Sequence, residues 1–93
     1  MLQSFADRDT EAVWFGIPLK RFGPDVLRVA RRKLTMLNAA ATLDDCRVPP
    51  GNRLEKLRGD RAGQYSIRVN DQFRICFRWT AGGPHDVELV DYH

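Results

Sequence analysis

Tyr65-Ser66-Ile67-Arg68-Val69-Asn70-Asp71-Gln72-Phe73-Arg74-Ile75-Cys76-Phe77-Arg78-Trp79 is the stretch from which the fold can be read. Its apolar residues recur at a period of two, the spacing of a β-strand with one covered face. Tyr65, Ile67 and Val69 share one face, and Ser66 and Arg68 share the other. In the next strand Phe73, Ile75, Phe77 and Trp79 oppose Arg74, Cys76 and Arg78. A two-residue turn would set the apolar face of one strand beside the polar face of its neighbour. A three-residue loop, Asn70-Asp71-Gln72, keeps the faces in register and places Ile67 opposite Ile75 and Arg68 opposite Arg74. Two arginines facing each other repel unless an anion or solvent intervenes, so the outer face of this hairpin is expected to be basic and suited to phosphate.

Working outward, the chain of 93 residues is expected to form one domain over 1–93, large enough for a core without cross-links. Apolar residues make up 43% and charged residues 29%, the balance of a globular chain without a membrane span. Net charge is a modest +3, but 12 of the 15 basic residues are arginine. From Arg47 to Arg78 eight basic side chains face Glu55, Asp60 and Asp71, an excess that favours an anionic partner such as nucleic acid. Cys46 and Cys76 have neither disulfide nor metal-ligand spacing and are expected as reduced, structural thiols. With no basic-then-apolar leader at the start, a cytoplasmic location is expected.

Before the hairpin, Met1–Phe5 is expected as a short strand pairing with it. Asp9 precedes a short helix over Thr10–Phe15 that Gly16 ends, with Trp14 and Phe15 as core anchors. Phe22 pins the connector that follows. Pro24 and Asp25 open the clearest helix, in which Leu27, Ala30, Leu34 and Leu37 form the inward stripe and Arg28, Arg31, Arg32 and Lys33 occupy the remaining surface. Thr42 reads as the cap of one further turn, closed by Pro49-Pro50-Gly51. After the break come a short strand around Arg53–Leu57, the hairpin, a turn at Thr80–Pro84 and a last strand over Val87–Val90. The expectation is an α+β fold: an N-terminal strand and two to three helices on one face of a small antiparallel sheet.

His85, beside the Gly-Gly-Pro turn, reads as a solvated loop residue. His93 and Tyr92 would reach the sheet edge near Arg74 and Arg68 if the last strand lies beside the hairpin. Asp91, His93, His85 and Asp86 lack a recognisable metal spacing, and Gly59-Asp60-Arg61-Ala62-Gly63 lacks the ending of a phosphate loop, so neither metal nor cofactor is expected. The remaining groups suit RNA cleavage by internal transesterification, which needs cationic donors around the phosphorane and groups that move two protons. Arg58, Arg68 and Arg74 could hold the phosphate, Glu55, Asp91 or His93 could handle protons, and Tyr92 could stack on a base.

At these residues the chain resembles the HigB-type toxins of the RelE/ParE superfamily. The resemblance is carried by Leu54-x-x-Leu57-Arg58-Gly59-Asp60-Arg61-x-Gly63-x-Tyr65-Ser66-Ile67-x-Val69-Asn70, by Phe73-Arg74-Ile75-x-Phe77 and by Val87-x-x-Val90-Asp91-Tyr92-His93. Ser4-Phe5, Leu37-Asn38-Ala39-Ala40 and Leu43-Asp44-Asp45 extend it over nearly the whole chain. It implies a RelE-like fold and a ribosome-dependent mRNA endonuclease, acting in the ribosomal A site without a metal. It also implies a helix-turn-helix antitoxin of the HigA type that binds operator DNA in complex with the toxin. The motif match carries over Arg58, Gln72, Arg74, Asp91, Tyr92 and His93 as active-site positions, while Arg68, Gln72, Arg61 and Lys56 are the expected RNA contacts. Some relatives have His-Pro where this chain has Glu55-Lys56, so Glu55 substitutes as base or the proton traffic passes to His93 and Asp91. Two other functions fit the same residues: a ParE-like inhibitor of DNA gyrase, or a non-catalytic nucleic-acid-binding subunit acting through the basic helix Arg28–Lys33.

Overall fold

The structure, a computed structural model, describes residues 1–92; His93 and the expectations placed on it lie outside the described residues. Helices α1 (Arg8–Trp14) and α2 (Pro24–Ala39) precede four strands, β1 (Glu55–Lys56), β2 (Tyr65–Arg68), β3 (Phe73–Thr80) and β4 (Gly83–Asp91). Short 3₁₀ turns at Leu43–Arg47, Pro50–Asn52 and Gly59–Arg61 fill the connections. The strands form an antiparallel meander in the order β1-β2-β3-β4. The expected hairpin register holds, with Ile67 opposite Ile75 and Arg68 opposite Arg74. Asn70 makes the three-residue loop possible, because its Oδ1 accepts from the Gln72 and Phe73 amides at 2.8 and 2.7 Å.

The inward stripe of α2 packs as its periodicity requires: Ala30, Leu34 and Leu37 are buried, with Leu27 against the edge of the same core. They meet Ile67, Ile75, Phe77, Val87 and Leu89 from the sheet in one cluster. Phe22 does pin the connector, its ring edge-on to Phe73 with centroids 5.5 Å apart. Thr42 caps its turn in a reciprocal box with Asp45, whose carboxylate is held below the usual range chiefly by the Thr42 and Ala41 amides.

Several local expectations are corrected. Helix α1 starts two residues earlier, at Arg8, because Asp7 accepts from the Thr10 amide at 2.8 Å; Asp9 lies inside the first turn and pairs with Arg21 at 2.9 Å. Phe15 is 65% exposed, since the helix ends before it and turns it outward, while Trp14 packs on the core margin. Met1–Phe5 is no strand of the hairpin. It runs parallel to β4 through one bridge, Phe5 to Val87, with Gln3 and Ala6 amides donating to Pro84 and Val87 carbonyls at 2.8 and 2.9 Å. β4 begins at Gly83, four residues before the expected start, so His85 is a strand residue opposite Arg78. Its Nε2 is buried without a hydrogen-bond partner among the described residues.

Lys33 departs most from its expected place. It is 7% exposed, its Nζ donates to Oδ1 of the buried Asn52, and its pKa is lowered first by burial and then by Arg32 and Arg68. The amide nitrogen of Asn52 donates to the Cys46 and Val48 carbonyls at 3.1 Å each. Asn52→Ala would leave an ammonium and two carbonyls without partners, and is expected to cost about 2–4 kcal/mol. Urea unfolding monitored by circular dichroism measures the loss; a variant within about 0.5 kcal/mol of the wild type would contradict this account.

Candidate active site

On the face of the sheet away from the helices, the register builds two rows of side chains. Glu55, Ser66, Cys76 and Glu88 lie across β1 to β4 in one, and Arg68, Arg74 and Val90 in the other. Ser66 and Cys76 lie on the face expected to be basic, and both are fully buried there, which suits the structural role expected of the Cys76 thiol. Their cover consists of long polar side chains whose apolar stems lie on the sheet. Arg74 crosses β2 and donates from Nε to Ser66 Oγ at 2.7 Å and from Nη2 to the Arg53 carbonyl at 2.6 Å. Its side chain is 11% exposed, and Nη1 lies 3.9 Å from Glu55 Oε1.

Arg61 enters from the Gly59–Arg61 turn, and its Nη1 donates to Gln64 Oε1 at 3.1 Å and to Glu88 Oε1 at 3.2 Å. Tyr92 follows β4 and closes the cluster, its phenol and the Cys76 thiol being hydrogen-bond partners. Burial, the largest cause, raises the pKa of both groups, while Arg61 and Arg74 oppose the shift. The chain end is tied to the hairpin loop as well. Tyr92 N donates to the Gln72 carbonyl at 2.7 Å, and Gln72 Nε2 donates to Asp91 Oδ2 at 3.1 Å.

The expected site residues therefore divide. Arg74, Arg61, Tyr92 and Glu55 share one face around Cys76, and Gln72 and Asp91 sit at the end of the same strands. Asp91 is opposite Phe73, so it belongs to the helix-side row and reaches the site past the sheet end. Arg68 is engaged by Asp71 beside the loop. Arg58 is exposed at the entry to the Gly59–Arg61 turn. Lys56 is paired with Tyr65, hence on the row of Phe77, and is not brought to the Arg74 face. Glu88 and Ser66 were missed by the sequence reading; extending the hairpin register to β4, which puts Glu88 opposite Cys76, is the signal that finds the first. Among the described residues, no three His, Cys, Asp or Glu side chains are grouped to hold a metal ion.

Residues 5–93 match the model of the HigB-like toxins, RelE-like toxins of the type II toxin-antitoxin system HigB. The chain belongs to this family. It is similar to Toxin HigB-1 of Vibrio cholerae serotype O1, 53% identical over 51 residues that are 55% of this chain and 54% of that protein. An uncharacterized protein of Haemophilus influenzae is 35% identical over 65 residues, 70% of this chain and 64% of that one. The chain thus spans between half and two thirds of the curated relatives it matches. A chain of the YoeB-YefM complex from Staphylococcus aureus shares the fold, with a TM-score of 0.63 at 14% identity over 100% of this chain and 98% of that one. No described helix is long and apolar enough to cross a membrane.

Within this HigB-like fold, both cysteines are buried and free, and burial with the Asp45 charge pushes the Cys46 thiol up to about 11. A thiol whose folded pKa exceeds its unfolded value stays protonated in the fold while the unfolded chain ionises first. Stability is therefore fully present below about pH 9 and is lost as pH rises from there toward the folded value. Lys33, with a lowered pKa, has the opposite sign over the window just below its ordinary value. Melting temperature should fall between pH 8 and pH 10.5, and the double variant Cys46→Ala with Cys76→Ala should flatten that decline; thermal melts across the range test it, and an equal decline in both proteins would refute it.

Proposed function

We propose that the chain acts as the toxin of a type II pair and as an endoribonuclease that cuts mRNA on the ribosome. The observation that carries this reading is the convergence of the Arg74 and Arg61 guanidinium groups with Glu55 and Tyr92 on one face, with the chain end held to the hairpin loop through Gln72. Family membership supports the toxin role. In the reaction a ribose 2′-oxygen attacks the adjacent phosphorus, the bond from phosphorus to the 5′-oxygen breaks, and the products are a 2′,3′-cyclic phosphate and a 5′-hydroxyl.

Glu55, half-exposed beside Arg74, is placed to take the 2′-hydroxyl proton. Arg74, Arg61 and the exposed Arg58 supply cationic donors to the non-bridging oxygens as charge accumulates in the phosphorane. Asp91 or His93 returns a proton to the departing 5′-oxygen. Tyr92, 44% exposed and held neutral by its raised pKa, offers its ring to a base. Arg68 is recruited if a phosphate displaces Asp71. The partners that accompany this reading are the ribosomal A site with its mRNA and a HigA-type helix-turn-helix antitoxin, through which the complex meets operator DNA. It places the protein in the cytoplasm.

Arg74→Ala should lower cleavage of ribosome-bound mRNA about 100-fold or more at a temperature where circular dichroism shows the variant folded, although the loss of its hydrogen bonds to Ser66 and the Arg53 carbonyl lowers the melting temperature. Primer extension on translated message reads the cuts, and a DNA gyrase supercoiling assay run alongside separates the ParE-like alternative. Undiminished cutting by the variant, or inhibition of gyrase without any cutting by the wild type, would defeat the nuclease reading.

A further inference from the structure

A guanidinium buried to the extent of Arg74 acts on a ligand through whichever nitrogen the protein leaves unclaimed. Nε is taken by Ser66 Oγ at 2.7 Å, and Nη2 by the Arg53 carbonyl at 2.6 Å and the Ser66 carbonyl at 3.3 Å. Nη1 makes no such hydrogen bond among the described residues; it is ion-paired at 3.9 Å with Glu55, whose side chain is itself exposed. The Arg53 carbonyl points at Arg74 because Arg53 adopts φ 46° and ψ 59°, a left-handed conformation that an arginine rarely takes without support. That support is the preceding residue. Asn52 is 1% exposed and anchored on Cys46, Val48 and the Lys33 ammonium from helix α2.

We propose that the Arg53 peptide, held left-handed by the buried Asn52–Lys33 pair, is together with Ser66 the positioning element of Arg74, leaving Nη1 as the donor to a substrate phosphate. Lys33 thereby has a role the sequence did not assign to it. It fixes from the helix side a carbonyl that acts on the opposite face of the sheet. Ser66 is fully buried between β1 and β3, so its hydroxyl is a fixed acceptor rather than a solvated one. Two acceptors on different elements define the guanidinium plane, which one alone would leave free to rotate. The proposal rests on Arg74 being the phosphate-binding group of the nuclease reading, although the positioning itself is measurable without RNA.

The test uses nitrogen-labelled full-length protein and four forms: wild type, Ser66→Ala, Arg53→Val and Arg53→Gly. Valine is strongly disfavoured at positive φ and glycine is not, so the pair varies the peptide conformation while removing the same arginine side chain. In the wild type the Arg74 Nε–H signal should exchange slowly with water; Ser66→Ala and Arg53→Val should speed that exchange at least tenfold, and Arg53→Gly should retain the slow rate. For mRNA cleavage, Ser66→Ala and Arg53→Val should lower kcat by about 10–100-fold with KM little changed, the pattern of a misoriented group. Arg53→Gly should recover kcat relative to Arg53→Val. Unaltered exchange in Ser66→Ala, which keeps the backbone intact if Arg53→Val fails to fold, would overturn the proposal, as would equal losses of kcat in Arg53→Gly and Arg53→Val. A wild type that cuts no mRNA would refute the nuclease reading while the exchange rates still decide whether Arg74 is positioned in this way.

Discussion

Strand β3 is buried on both of its faces, and most of the molecule follows from how that burial is achieved. Ile75, Cys76 and Phe77 are each at 0% exposure although they point alternately to opposite sides. On the helix side Ile75 and Phe77 are covered by Leu34, Leu37 and their neighbours, which is hydrophobic burial of the ordinary kind. Among the described residues no second layer of helices covers the other side. There the cover is made from Arg74, Arg61 and Tyr92, whose polar ends are themselves paired: Arg74 with Ser66 and the Arg53 carbonyl, Arg61 with Gln64 and Glu88, and Tyr92 with the Cys76 thiol. The same side chains that complete the structure therefore carry the charge and the hydrogen-bonding groups of the candidate site.

Covering a strand with arginines has an electrostatic cost, and the placement of acceptors shows how it is met. Each guanidinium is given a fixed set: Ser66 and the Arg53 carbonyl for Arg74, Gln64 and Glu88 for Arg61, Asp71 for Arg68. The Arg68–Arg74 opposition across the hairpin is relieved by sending the two side chains to different partners. Buried polar groups of this kind are stabilising when every donor has an acceptor and costly when one is missing. Arg74 is accordingly the most buried and most hydrogen-bonded arginine of the site, whereas Arg58 and Glu55 are exposed.

What could be read from the residues divides along the same line. The hairpin register was legible because a period of two and one loop length admit a single pairing that keeps the apolar faces together. Helix α2 was legible for the comparable reason that Leu27, Ala30, Leu34 and Leu37 repeat at helical spacing. The burial of Lys33 was not, because a lysine one position from the apolar stripe looks solvated until its partner is known, and Asn52 is nineteen residues away in a connector with no periodicity. The left-handed Arg53 is hidden similarly, since an arginine in that conformation is set by its neighbours rather than by its own preference. Of the candidate site, the face of Arg74 and Tyr92 was visible in the alternation. The exclusion of Lys56 required knowing which partner each residue of so short a strand meets, and the acidic partner of Arg61 required the register of β4.

The sheet edges show why the N-terminal segment resisted assignment. β4 is nine residues long and would offer a row of unpaired amides and carbonyls along its outer side. That side is occupied by groups from three places: the Ser4 carbonyl takes the Val87 amide at 3.1 Å, the Ala6 amide donates to the Val87 carbonyl, and Thr10 Oγ1 accepts from the Leu89 amide at 2.9 Å. Neither the segment nor the helix start could satisfy this edge alone, so the chain leaves extended geometry at Phe5 and turns into α1 in time to present Thr10. Gly83 permits the close approach at the other end, for a Cβ there would lie 2.6 Å from the Met1 carbonyl oxygen. The first ten residues are thus shaped by the hydrogen-bonding demand of a strand more than seventy positions later. By closing that edge they hold β4 against β3, and with it the Asp91–Tyr92 end that covers Cys76.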